Sequence, residues 1–299
     1  MINKINFSKF FRIANIFSIL AVLISILFLF FKGLNYGVDF KGGTLLEIRI
    51  DNENIQIQDI RSSLSMPALG DVNVKQFGKK GDFLIKFEKN ANENEKFIIE
   101  LKNIISKKIG TAVNFRRVET VGPKVSSELL KQGLTAIALA LGAMLFYIWI
   151  RFEWQFSLGA IVALIHDVVI TLGIFSILSF EVNLSIVAAV LTIVGYSMND
   201  TVVIFDRIRE NLLKYSKIKT NEIADISVNE TLSRTIITSL TTLLALFSIF
   251  ILGGEILKGF SFAMILGVII GTYSSIFVAS PVLNFFKVTQ KTLLKDEDI

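Results

Sequence analysis

Polar and apolar positions divide the chain into six long apolar runs and one long patterned interval. The first run, residues 10–31, carries a single charge, Arg12. It has about the 20 residues a helix needs to cross a bilayer core. After a gap of about 100 residues five more runs follow, at 133–150, 157–180, 184–206, 235–252 and 260–286. A cleaved signal peptide competes for the first run, because Lys4, Lys9 and Arg12 make a basic leader. Its apolar core is too long, however, and no small-residue cleavage site follows. The pattern predicts a polytopic α-helical membrane protein with six transmembrane helices, and an even number puts both ends on one side.

The interval between the first two spans has strand and helix periods of its own. TLLEIRI (44–50), VNVKQF (72–77) and DFLIKF (82–87) alternate and read as strands, with Gly78–Gly81 as a hairpin connection. IQIQDIRSSL (55–64) reads as a short helix. NENEKFIIELKNIISKKIG (92–110) is an amphipathic helix closed by Gly110, and AVNFRRVETV (112–121) is a last strand. The order βαββαβ is that of a ferredoxin-like domain. Glu47, Lys86 and Arg116 on its strands are expected to face water.

Composition supports the membrane reading: 52% of residues are hydrophobic and 26 are Phe, and mean hydropathy is +0.60. The net charge of +5 raises the question of nucleic acid, but the cations flank the spans, as topology determinants do. Lys4, Lys9, Arg12, Arg151, Arg207, Arg209, Lys214, Lys217, Lys219, Arg234, Lys287, Lys291 and Lys295 fall on one face of the membrane, whereas the opposite short loops hold only Lys258. The positive-inside rule therefore predicts cytoplasmic termini and an extracytoplasmic domain between helices 1 and 2. The expected divisions are 1–32 (N-terminus and first helix), 33–130 (outside domain), 131–286 (helices 2–6, with a cytoplasmic loop at 207–234) and 287–299 (cytoplasmic tail). The 207–234 loop is expected to be largely helical and to lie along the membrane surface. Without Cys and with one His, thiol chemistry and a multi-histidine metal site are excluded. No P-loop, HExxH or GxSxG motif is present, so no enzyme activity is expected.

Ionisable residues inside the spans carry the functional signal, since each costs several kcal/mol and normally faces a partner or a water path. Asp200 lies about six residues, or ~9 Å, from the inner end of span four, with Asn199 beside it and Gly195 one turn earlier. His166 and Asp167 sit at mid-depth in span three, after a small-residue stripe at Gly159 and Ala163. Thr231, Arg234, Thr238, Thr241, Ala245 and Ser248 recur on one face of span five. Burial favours the neutral acid and a nearby guanidinium favours the carboxylate. Moving Arg234 relative to Asp200 would thus load or release a proton, with Arg234 as the modulator. The bland alternatives are a buried salt bridge that fixes packing, threonines bonded to their own helix, and a His–Asp helix clamp. In span six, Ala263, Gly267, Gly271, Ser275 and Ala279 repeat every four residues, a packing seam.

Together, GLNYGVDFKGGT (33–44), VETVGPKVSSEL (118–129), RFEWQFSLGAIVALIHDVVITLG, VGYSMNDTVVIFDRIREN, ETLSRTIITSLTTLLAL and GTYSSIFVASPVL resemble the SecF side of the SecD/SecF family of bacterial protein-export membrane proteins, within the RND superfamily. The resemblance covers nearly the whole chain. It implies half of an RND-type twelve-helix fold, with SecD supplying the other six helices. It also implies association with the SecYEG translocon, preprotein substrates and residence among the lipids of the bacterial cytoplasmic (inner) membrane. The proton gradient, and no cofactor, metal or nucleic acid, would drive the work. Carried over by position, Asp200 is the proton-coupling carboxylate, Arg234 its basic partner and His166–Asp167 the HD motif; Asn199, Thr238 and Thr241 are supporting polar residues on the pattern of the spans alone.

Two rivals stand beside protein export. One is an RND-type proton-coupled exporter subunit for small molecules or lipids; the other is a membrane scaffold without energy coupling. The glycine-dense stretch after span one (Gly37, Asp39, Gly42, Gly43) and its counterpart Gly122–Pro123 read as paired stems of the outside domain, with Gly42–Gly43 as a hinge.

Overall fold

The chain was analysed as a computed structural model, which describes residues 5–52, 54–66, 69–70, 72–76, 79–88, 95–215 and 218–294. Lys4, Lys217, Lys295, Gly78, Phe77 and the predicted helix start at 92–94 lie outside the described residues.

The first apolar run forms helix α1 (Phe11–Phe31), entered through one 3₁₀ turn at Phe7–Phe10. The patterned interval forms β1 (Gly43–Ile50), α2 (Ile57–Ser63), β2 (Val72–Gln76), β3 (Asp82–Phe87), α3 (Glu95–Ile109) and β4 (Val113–Val121). The βαββαβ order is as expected. The strands lie in the spatial order β2-β3-β1-β4, with every neighbouring pair antiparallel. Alternation explains the layering: Leu46, Ile48 and Ile50 of β1 and Phe83, Ile85 and Phe87 of β3 share one core with Ile60 of α2 and Leu101 and Ile105 of α3. Gln56 and Asp59 close a reciprocal capping box at the start of α2. Gly110, at φ +72°, ends α3. This unit spans Tyr36–Thr135 and packs as a compact body of its own.

One expectation for its strands fails. Arg116 is exposed, but Lys86 is only half-exposed. Burial, then the neighbouring charge of Lys75, pushes its pKa down from 10.5 to about 8, with Asp39 opposing the shift. Nearby, Asp82 is buried at 5% exposure, with Arg116 at 3.5 Å and Arg49 at 3.7 Å. Alternation marks which positions leave the helix-covered face; it does not say how crowded the other face is.

The remaining residues form the second unit, built on α1, the part of α4 (Pro123–Arg151) from Ala136 onward, α5 (Trp154–Leu178), α6 (Leu184–Lys214), α7 (Thr220–Leu252) and α8 (Gly254–Ser274). A π-helical turn at Ser275–Ala279 and the short α9 (Ser280–Phe285) continue α8. Among the described residues six helices are long and apolar enough to cross a membrane. The chain is a multi-pass membrane protein.

The 207–234 segment is largely helical, as expected, but as continuations of two spans rather than a separate surface helix. Helix α6 runs on to Lys214 and α7 starts at Thr220, so the two spans extend as one antiparallel pair. Asn211 donates to Ser227 Oγ at 2.9 Å, and Arg207 meets Glu230 at 2.6 Å. Charges that looked like membrane-surface determinants are the outer rungs of this pair.

Small residues set the closest helix contacts. A Cβ on Gly267 of α8 would fall 2.2 Å from Ile193 of α6, and one on Gly271 would fall 2.9 Å from Ser197. A Cβ on Gly173 of α5 would meet Ser25 of α1 at 2.3 Å, and one on Gly159 would meet the Ala279 carbonyl at 3.0 Å. The predicted seam on span six and the Gly159/Ala163 stripe are therefore packing surfaces. Gly195 is not: nothing among the described residues lies within 4 Å of its would-be Cβ.

Candidate functional site

Two buried carboxyls organise the helical unit. Asp167, fully buried on α5, takes the His166 ring at 2.8 Å (Nδ1 to Oδ1). Its Oδ2 accepts from Ser197 of α6 at 2.5 Å and from Ser274 of α8 at 2.8 Å. Three helices thus share one acceptor. The His166 ring also stacks on Tyr273, 6.1 Å between centroids. The Tyr273 hydroxyl in turn donates to the Ala14 carbonyl of α1 at 2.8 Å. His166 Nε2 is buried and has no partner among the described residues.

Asp200 on α6 is the other carboxyl, at 3% exposure. Ser197, one turn earlier, joins its neighbourhood to that of Asp167. On α8 Thr272 neighbours the Asp200 carboxyl, and its hydroxyl is 2.8 Å from that of Ser239 of α7. Adjacent Thr201 pairs with Ser275 at 2.8 Å. Asp200 Oδ2 has no partner among the described residues. The structure therefore gathers His166, Asp167 and Asp200 into one buried polar core between α5, α6, α7 and α8. Asp167 has a partner on each oxygen, whereas Asp200 Oδ2 has none among the described residues.

The other expected members lie elsewhere. Arg234 is exposed and makes no ion pair within 4 Å among the described residues; its charge acts on Asp200 from a distance. Asn199 and Thr241 are exposed and Thr238 is half-exposed. Thr238 and Thr241 donate to carbonyls of their own helix, at 3.0 and 2.8 Å. The inward hydroxyl face of α7 is rotated from the expected one and runs through Thr231, Thr235 and Ser239, all buried. Tyr196 of α6 reaches the next hydroxyl, Thr242, at 3.2 Å. Sequence reasoning missed Ser197, Ser239, Thr272, Ser274 and Ser275. The available signal was GTYSS (271–275), four hydroxyls in five residues of an apolar span.

The glycine-dense stretch forms a one-turn helix at Val38–Lys41, preceded by Gly37, in which Phe40 is buried. Gly42 and Gly43 follow with φ +79° and +117°, a region that glycine enters freely. A Cβ on Gly43 would fall 2.6 Å from the Phe87 carbonyl, and one on Gly42 would fall 3.3 Å from that of Val121. The pair forms a close-packed corner between β3 and β4. At the other stem, Ser126 N–H donates to the Gly122 carbonyl at 2.9 Å and Ser126 Oγ to that of Pro123 at 3.0 Å. Asp39 is half-buried, not at open water, with Lys86 in range of its charge. No group of three or more His, Asp or Glu among the described residues is arranged to hold a metal ion.

The description "Protein export membrane protein SecD/SecF, C-terminal" matches residues 101–289, and "SecD/SecF GG Motif" matches residues 27–53. The chain belongs to the SecD/SecF family. Relatives named "Protein translocase subunit SecF" include that of Rickettsia rickettsii, 43% identical over 95% of this chain and 93% of the relative. That of Rickettsia akari is 44% identical over the same shares. The crystal structure of SecDF from Thermus thermophilus, "a translocon-associated membrane protein", matches with a TM-score of 0.86 and 34% identity. It covers 96% of this chain and 39% of the SecDF chain. SecDF in a super-membrane-facing form matches at 0.72 and 33% identity, over 99% of this chain and 40% of that one. The chain thus spans about two-fifths of those SecDF chains. Both SecD/SecF matches meet the elements described above: the motif at 27–53 contains the Gly42–Gly43 corner, and 101–289 contains both buried carboxyls.

Proposed function

We propose that this chain acts as the SecF-type subunit of a Sec protein translocase, pairing with a SecD-like six-span partner and using proton movement at Asp200 to assist preprotein export. The observation that carries the reading is the Asp200 carboxyl itself: buried, with one oxygen unpartnered, on a helix whose neighbouring face is polar and uncovered. Asn199 of α6 and Arg234 of α7 are exposed, which is costly in hydrocarbon unless another protein meets them. The clustering of Lys and Arg favours cytoplasmic termini, with the Tyr36–Thr135 unit on the opposite side. Association with SecYEG follows from the same family reading.

For His166–Asp167 a second reading has specific support. Asp167 ties α5 to α6 and α8 through Ser197 and Ser274, which favours a helix clamp. The test of the main proposal is Asp200→Asn in cells that depend on this chain. Loss of gradient-stimulated preprotein export with normal subunit levels is expected. Export at the wild-type level would reject proton coupling and favour a scaffold.

A further inference from the structure

Resting on the reading of Asp200 as a proton carrier, we infer that Thr235, with the hydrogen-bonded Ser239–Thr272 pair, is a positioning residue that turns its hydroxyl toward the Asp200 carboxyl when that group is charged and back to its own helix when it is neutral. The starting observation is an exception. Along α7, Thr231, Thr238, Thr241, Thr242 and Ser248 each donate to a carbonyl one turn back, at 2.8 to 3.0 Å. Thr235 does not: it is 1% exposed and its Oγ1 has no partner among the described residues. A buried unsatisfied hydroxyl is costly, and its own i−4 carbonyl would normally remove that cost.

The unpaired Asp200 Oδ2 is the complementary exception on α6. The bonds Tyr196–Thr242 and Asn211–Ser227 fix the antiparallel register of α6 and α7. In that register Thr235 stands within one helical turn of the level of Asp200. Thr272 approaches the same carboxyl from α8 and is held by Ser239, one turn from Thr235. Thr272 on α8 and Thr235 on α7 thus lie at the level of one carboxyl that keeps an unpartnered oxygen.

The chemistry balances without a further reactant. When Asp200 releases its proton to water, the carboxylate needs donors, and Thr235 and Thr272 supply O–H groups without losing their own protons. When Asp200 regains the proton, Thr235 is free to return to the Thr231 carbonyl. The other ionisable groups facing this region are Arg234 on α7, exposed, and His166–Asp167 on α5, reached through Ser197. On α8 Tyr273 faces His166, and on α6 Asp206 is engaged by Arg151 at 3.0 Å.

The test uses the full complex in native membranes and dicyclohexylcarbodiimide, a hydrophobic reagent that modifies protonated buried carboxyls. Labelling of Asp200 is located by mass spectrometry across a pH series. Thr235→Val, close to isosteric, is expected to move half-maximal labelling upward by about one pH unit, because a donor to the charged form is lost. Thr272→Val should move it the same way, and Thr235→Ser should restore the wild-type profile. If Thr235→Val disrupts assembly, Ser239→Ala serves in its place, with a smaller upward shift expected. Wild-type pH profiles in the valine variants, or a serine variant that behaves like valine, would overturn the inference. Failure of the parent reading looks different: Asp200→Asn would then export normally whatever the Thr235 variants do.

Discussion

Asp167 and Asp200 show how two carboxyls in one core acquire different chemistry. Asp167 is hydrogen-bonded to a histidine and two serines on three helices. Asp200 keeps a bare oxygen. Both were legible in the sequence, because a carboxylate inside an apolar run is rare enough to be a signal. Their serine and threonine partners were not, since a hydroxyl in a helix is satisfied by its own backbone as easily as by a neighbour. The same ambiguity hid the rotation of the α7 hydroxyl face. At Lys86 the residue scale gives a separate prediction. Its folded pKa of about 8 lies below its ordinary 10.5. Between these values the unfolded chain holds a proton that the folded unit has released. Stability of the Tyr36–Thr135 unit should therefore rise as pH climbs through that window, and the cost of the buried charge is fully present below it. Thermal unfolding of that unit within the purified protein checks this: Lys86→Met should unfold higher at neutral pH and lose the rise between pH 8 and 10.5.

At the scale of elements, the four-residue repeat of small side chains on the last span was the most transparent signal. Gly267 and Gly271 let α8 lie against Ile193 and Ser197 of α6, and that contact brings Ser274 to Asp167 and Ser275 to Thr201. The π turn at Ser275–Ala279 begins where these bonds are made, and no residue pattern announced it. Gly267→Leu has no room, because Ile193 is itself buried at 1% exposure. Overpacking of this kind costs about 1–3 kcal/mol, so a clear fall in the melting temperature of the detergent-solubilised protein is expected, and an unchanged melting temperature would contradict the tight seam. The extension of α6 and α7 was misread for the opposite reason. Charged rungs at Arg207, Glu210 and Glu230 interrupt the apolar stripe, yet the ion pairs among them continue the helix pair past the apolar segment.

At the scale of the whole molecule, burial is uneven in a way that points outside the chain. The span windows of α5, α6 and the last helix are 44%, 50% and 61% buried, whereas those of α4 and α7 are 11% and 17%. The Arg234-bearing face of α7 is among the open ones. Lipid satisfies Leu and Phe, but not Arg234 and Asn199. Extraction in mild detergent from native membranes should therefore recover the chain with a second six-span subunit; recovery as a lone monomer would count against the pairing. Six spans and a βαββαβ unit were readable from period alone, whereas an uncovered polar face is visible only once the helices are placed.

Proton entry at Asp200 is the central claim, and flux measures it without the many steps of export. The complex is reconstituted into liposomes, a pH gradient is imposed, and internal pH is followed with a trapped dye. Wild-type complex should admit protons and Asp200→Asn complex should not, at equal protein incorporation. Equal flux in the two preparations would contradict the account.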